Sequence, residues 1–135
     1  MAGRGDIAAG NLTVTAERLK SVDFSVPHNT NIDEIIVSGP LAPPIQTVDD
    51  LSGQEIHVRQ SSSYYESLLS LNKAFESAGK APATLVMADE LLEDEDLLEM
   101  MNANLIPMIV IGSRKGEFWG PVLTSPTLRP RRTLR

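Results

Sequence analysis

The sequence predicts an α/β domain built on a parallel-dominated sheet with helices on both faces. Two observations carry that prediction. Strands alternate with helices from Ile32 to Trp119, the pattern of a sheet whose crossovers are helical. Apolar β-branched runs such as Ile35-Ile36-Val37 have the signature of strands buried on both faces. A chain of 135 residues with nine glycines and ordinary hydrophobic content is also long enough for one domain with a sizeable core.

Taken in order, Asp6 to Ala9 predicts a short strand, and Leu12 and Val14 alternate with polar residues across Asn11 to Thr15. Thr15 is placed to cap one helical turn through Arg18 and Leu19, with Glu17 early in the turn where the helix dipole favours an acid. Val22 to Ser25 reads as extended and stops at Pro27, and Ile32 to Val37 is the first buried strand. Gly39-Pro40 and Pro43-Pro44 mark an irregular connection, and Asp49 to Gly53 a short turn. Ile56 and Val58 alternate with polar neighbours as a strand does; from Tyr64 the apolar residues Leu68, Leu71 and Phe75 follow at helical spacing. A strand therefore turns into a helix across Ser61, Ser62 and Ser63. Ser63 with Glu66 has capping-box spacing, and the first-turn N–H groups with the dipole make a place for an anion. A well-capped crossover helix without a ligand fits the same residues. The helix ends at Gly79, which supplies a left-handed cap. Ala83 to Met87 predicts a third strand, and Asp89 to Met101 two short helices or one bent one, with Leu91, Leu92, Leu97, Leu98 and Met101 on its buried face. Pro107 to Ile111 is another buried strand, Glu117 to Trp119 a short helix, and Leu123 to Leu128 an extended segment broken by Pro126.

Composition excludes several classes. The net charge of −6 argues against nucleic acid, whose binding needs a dense basic face; the basic excess at Arg129, Arg131, Arg132 and Arg135 suits a solvated tail. No apolar run has the length of a membrane span, no basic-then-apolar leader opens the chain, and the absence of cysteine removes disulfide and thiolate chemistry. His28 and His57 are too far apart in sequence for a metal pair, and the acids from Asp89 to Glu99 lack the spacing of a calcium loop, so no metal or cofactor is expected. A solvated helix face explains those acids, and nothing separates Glu93 and Glu99 into an acid/base pair. Phe118 and Trp119 suit packing, or stacking on a sugar. Arg4-Gly5-Asp6 matches an adhesion tripeptide of the sort that arises by chance.

Asp6 to Gly10, Leu12 to Thr15, Glu17-Arg18 and Val22-Asp23-Phe24-Ser25-Val26-Pro27 together resemble a segment of the bacterial extracellular solute-binding proteins of family 3, the type 2 periplasmic-binding-protein group. Asp50 to Gly53, Val58-Arg59, Ser61 to Ser63 and Leu98 to Leu105 resemble the same family, with a particular likeness to the solute-binding-like domains of membrane-bound lytic murein transglycosylases. The resemblance implies two α/β lobes that close on a small ligand. It lays residues 1–30 onto a remnant of lobe one, 31–122 onto lobe two and 123–135 onto a return hinge segment with a basic tail, with lobe one largely missing. It implies that Arg18 clamps a ligand carboxylate with its planar fork, that Thr13 and Asn11 add donors, and that Arg59, Ser61, Ser62 and Ser63 close over the anion from the other lobe. Where amino-acid binders carry an aspartate after the last buried strand, this chain has Gly112, which removes the counter-charge for an α-amino group. A transglycosylase also has a lysozyme-like catalytic domain, and no segment here resembles one.

The expectation is therefore a non-enzymatic ligand-binding module: a truncated sensor or binding domain, periplasmic or in the cell envelope by resemblance. Its partner would be a small anionic ligand, amino-acid-like, a peptide or a muropeptide, bound weakly or not at all by this chain in isolation. Two other readings are a structural α/β module that self-associates through an exposed lobe interface, and an accessory part of a murein lytic transglycosylase.

Overall fold

A computed structural model describes residues 3–30 and 32–122. The predicted Leu123 to Leu128 segment, the hinge return and the basic tail lie outside those residues. The chain divides into two compact units, Met1–Thr30 and Asn31–Arg135.

Within the first unit the described residues form no strand. The expected strand at Asp6 to Ala9 and the extended stretch Val22 to Ser25 are irregular chain, and the regular element is a 3-10 turn over Arg18–Lys20. Alternating apolar residues specify a strand only when a neighbouring strand takes up their backbone groups, and in these residues none does. Thr15 does start the turn: its Oγ1 accepts from the Arg18 N–H at 3.2 Å, and its carbonyl from the Leu19 N–H at 3.0 Å.

The second unit holds a four-stranded sheet. Its strands are β1 (Glu34–Ser38), β2 (Glu55–Val58), β3 (Thr84–Met87) and β4 (Met108–Gly112), in the spatial order β1-β4-β2-β3. β2 runs parallel to β3 and β4, and β1 runs antiparallel to β4 with Ile36 opposite Val110. Among the described residues the sheet is joined by three α-helices, α1 (Ser63–Ser77), α2 (Asp94–Asn102) and α3 (Ser113–Trp119), with 3-10 turns at Val48–Leu51 and Gly120–Val122.

The side-chain alternation of a strand explains why the apolar runs are continuous. Ile36, Ile56, Val58, Met108 and Val110 face one side and pack with Leu68 and Phe75 of α1. Ile35, Val37, Ile109 and Ile111 face the other and pack with Leu97, Leu98 and Met101 of α2 and Trp119 of α3. Both faces of β1 and β4 must then be apolar. Burying one such side chain contributes about 1.5–3 kcal/mol, so these two clusters are the main source of stability.

Each predicted helix needs some correction. α1 is capped by Ser62, whose Oγ accepts from the Tyr65 N–H at 3.3 Å; Ser63, the expected cap, is the first helical residue and is buried. At its other end Gly79 (φ +71°) turns the chain in a Schellman arrangement, the Gly79 N–H meeting the Glu76 carbonyl and the Lys80 N–H the Phe75 carbonyl. Asn72 then fastens α1 to β3: its side chain donates to the Ala83 carbonyl at 2.9 Å and accepts from the Ala83 N–H at 2.8 Å. The acidic segment makes one helix preceded by a turn, and Leu91 in that turn is exposed. α3 starts directly after β4, four residues before the expected helix. Phe118 meets Trp119 edge-on with ring centroids 5.3 Å apart, but Phe118 stays exposed while Trp119 packs on the sheet.

Candidate functional site

β2 delivers its chain at the sheet's C-terminal edge, where a parallel strand hands over to its helix and where open α/β sheets collect ligands. The residues just beyond it are Arg59, Gln60, Ser61 and Ser62. Ser62 is committed to structure: besides capping α1 it donates from Oγ to the Arg59 carbonyl at 2.7 Å, and its N–H reaches the same oxygen at 3.1 Å. That pair of bonds closes the loop and fixes the direction in which Ser61 and Arg59 point.

Arg59 reaches Asp94 at the start of α2, Nη2 donating to Oδ1 at 2.7 Å, with Nη1 3.6 Å from Glu93. Asp94 has a buried side chain and is the hub of the region. Its Oδ2 also accepts from Lys115 Nζ of α3 at 2.9 Å and from the Tyr64 hydroxyl of α1 at 3.3 Å. A carboxylate is tolerated out of water only when its oxygens are met in this way. Tyr64 in turn accepts from the Gly112 N–H at 3.0 Å, so the backbone where β4 ends is engaged by a phenol. Burial, then the Asp94 charge, push the Tyr64 hydroxyl well above its ordinary pKa, leaving it a neutral donor. For Lys115 burial acts to lower the pKa, but the hydrogen bond and charge of Asp94, with Glu95 3.3 Å away, win and raise it.

Ser61 faces a second acid. Its N–H donates to Glu90 Oε1 at 3.2 Å and its hydroxyl to Glu90 Oε2. The Ser61 hydroxyl first, then the Ser61 and Gln60 N–H groups and the Arg59 charge, hold the Glu90 carboxyl below its usual pKa. The acids of the 89–99 segment are thus more than a solvated face: Asp94 is buried and Glu90 is bound to the loop. Two cations, Arg59 and Lys115, lie among four carboxylates, Glu90, Glu93, Asp94 and Glu95, so this edge carries a net negative charge.

Of the residues proposed from the sequence, Arg59 and Ser62 are brought together by the bonds above, Ser61 stands beside them, and Ser63 is turned into the helix. Asn11, Thr13 and Arg18 belong to the first unit, where the Arg18 guanidinium donates from Nη1 to the Thr13 carbonyl at 2.9 Å, and Glu17 pairs with Lys20 at 2.5 Å. His57 is half-buried with Nε2 2.7 Å from Glu55, and among the described residues no group of acids and histidines is arranged to hold a metal. No helix in those residues is long and apolar enough to cross a membrane. Sequence reasoning missed Tyr64, Glu90, Asp94 and Lys115. The one available signal was Glu93 with Asp96, a reciprocal cap that puts Asp94 in the first turn of a helix beginning at the sheet edge.

No family model matches the chain. Among curated proteins it is 28% identical over 127 residues to the membrane-bound lytic murein transglycosylase F of Saccharophagus degradans, a match covering 92% of this chain and 23% of that protein. Among solved structures it is similar to an ancestral arginine-binding protein bound to arginine, with a TM-score of 0.59 and 22% identity over 82% of this chain and 45% of the other. A periplasmic binding protein of an arginine transport system from Legionella pneumophila gives a TM-score of 0.59 and 22% identity over 84% and 43%. The ancestral protein bound to glutamine gives 0.60 and 19% over 82% and 44%. The chain spans about a quarter of the curated relative and under half of these structures. Its fold is that of a type 2 periplasmic-binding-protein lobe, as the resemblance to solute-binding proteins implied, and the likeness to a lytic transglycosylase holds in the curated comparison as well.

Proposed function

We propose that the chain is a non-enzymatic ligand-binding module of the solute-binding type that receives the carboxylate of a small ligand, amino-acid-like, a peptide or a murein fragment, in the periplasm or cell envelope. The observation that carries this reading is the Ser61 contact: the end of β2 presents an N–H and a hydroxyl that already hold a carboxylate, beside a guanidinium. Charge-assisted bonds of this kind are the strong ones in anion recognition. The fold supports it, since similar structures are bound to arginine and glutamine. Arg59 and Ser61 are assigned the carboxylate, and Ser62 and Ser63 the shape of the loop. The kinship with a murein transglycosylase favours a cell-wall fragment as the natural ligand, and no residue of this chain is assigned a catalytic step.

Titrating the 15N-labelled chain with L-arginine, L-glutamine and muramyl dipeptide tests the reading. Millimolar binding with the largest shifts at Arg59, Gln60 and Ser61 is expected, weakened about tenfold or more in S61A by the loss of one hydrogen bond to a charged group. Shifts confined to other residues, or none, overturn it.

A second reading has one specific observation in its favour. Ile7, Leu12, Leu19 and Val26 of the first unit are exposed apolar side chains, which suits self-association. Sedimentation at rising concentration separates the two, since a strictly monomeric chain ends the second.

A further inference from the structure

We propose that Glu90 is a built-in competitor for the ligand carboxylate, an autoinhibitory side chain that must leave Ser61 before an external anion can be bound; this rests on the binding role proposed above for Ser61.

The placement follows from the sheet. The Ala88 N–H donates to the Val58 carbonyl at 2.9 Å, carrying the β2–β3 pairing to the point where both strands end, so residues 59–62 and 89–92 leave the sheet side by side. The turn at 89–92 is closed without Glu90. The Asp89 carboxylate accepts from the Leu91 N–H at 2.9 Å and the Asp89 carbonyl from the Leu92 N–H at 3.1 Å. The Glu90 side chain is then spare to the turn, and it spans to the other loop, where Ser61 meets both of its oxygens.

What Glu90 occupies is a receptor of defined chemistry: the Ser61 N–H and hydroxyl, supplemented by the Gln60 N–H and the Arg59 charge, all favouring an ionised carboxylate. The occupant shows the class of ligand that the receptor takes. It is also one that can leave. Glu90 is exposed, so a withdrawn carboxylate returns to water without stranding a buried charge, unlike Asp94, which is buried under three donors. The contact is charge-assisted, and tethering keeps the local concentration of the Glu90 carboxylate high, so an external anion meets a strong competitor. The result is competition: weak ligands are turned away, and a ligand with further contacts displaces the side chain.

The experiment is an NMR titration of the full chain with L-arginine, L-glutamine and muramyl dipeptide, in the wild type and in E90A, E90Q and E99Q. Expected are about fivefold tighter binding in both Glu90→Ala and Glu90→Gln, no gain in Glu99→Gln, which removes the same charge from the exposed side of α2, and faster ligand-free amide exchange at Ser61 in E90A. Equal or weaker binding in the Glu90 variants overturns the proposal while the binding reading stands. So does an equal gain in E99Q, which would make the effect one of net charge, or unchanged Ser61 exchange. Failure of every variant to bind any probe overturns the binding reading itself and this proposal with it.

Discussion

Asp94 shows how one side chain can decide a region. It accepts from a guanidinium, an ammonium and a phenol while buried, and removing it strands Arg59 beneath the surface. Breaking a buried pair costs about 3–5 kcal/mol; Lys115, at 35% side-chain exposure, can turn to water, so D94A is expected near the lower end, about 3 kcal/mol, read by urea denaturation. Asp94→Leu in combination with R59M should recover part of that loss. Y64F tests the phenol. It leaves the Gly112 N–H without the acceptor it has here, and about 1–2 kcal/mol of stability should go with it. Beyond the Glu93–Asp96 capping spacing, which places Asp94 in a first turn, none of this was legible in the sequence, where an aspartate among acids looks like any solvated one. Arg59 and the serine loop were legible because a strand, a turn of hydroxyls and a helix follow one another without a gap. Which serine does which task was not, since three in a row offer three registers for one cap.

Elements were read well where burial on both faces leaves a continuous apolar run, as in β1 and β4, and where punctuation is strong, as at Gly79. They were misread where the signal was alternation alone. Leu12 to Val14 alternates like a strand and Asp6 to Ala9 reads as a short one, but pairing decides a strand, and these have no partner among the described residues. α1 offers a clean test of its assigned ends. Ser62→Ala should cost about 1 kcal/mol through the lost cap, and N72A about 1–3 kcal/mol, because both Ala83 backbone groups lose their partner where β3 begins. Thermal melts of the two variants check the order; a smaller loss in N72A than in S62A would refute the role given to the Asn72 staple.

At the scale of the molecule, both core clusters draw, among the described residues, on the chain from Ile35 onward. A variant lacking residues 3–30 should therefore keep its far-ultraviolet dichroism and cooperative melt; loss of the transition would show that the first unit is needed for folding. The pH dependence has two sides. Tyr64 and Lys115 have raised folded pKa values, so the stability they contribute is complete below about pH 10 and falls as pH climbs through those values. Asp50 and Glu90 have lowered ones, so theirs is present above the ordinary carboxylate range and fades with acid. A melting temperature flat around neutrality and declining at both extremes is expected, with Y64F shallower on the alkaline limb. The hub at Asp94 has a consequence for descent as well. Arg59 and Tyr64 come from one stretch of chain and Lys115 from another, yet all three answer to one carboxylate, so a drifting lineage cannot exchange one of them at leisure. Among homologous genes the four codons should turn over together or hold still together, and a pedigree in which Asp94 is lost while Arg59 and Lys115 persist would betray a rebuilt edge.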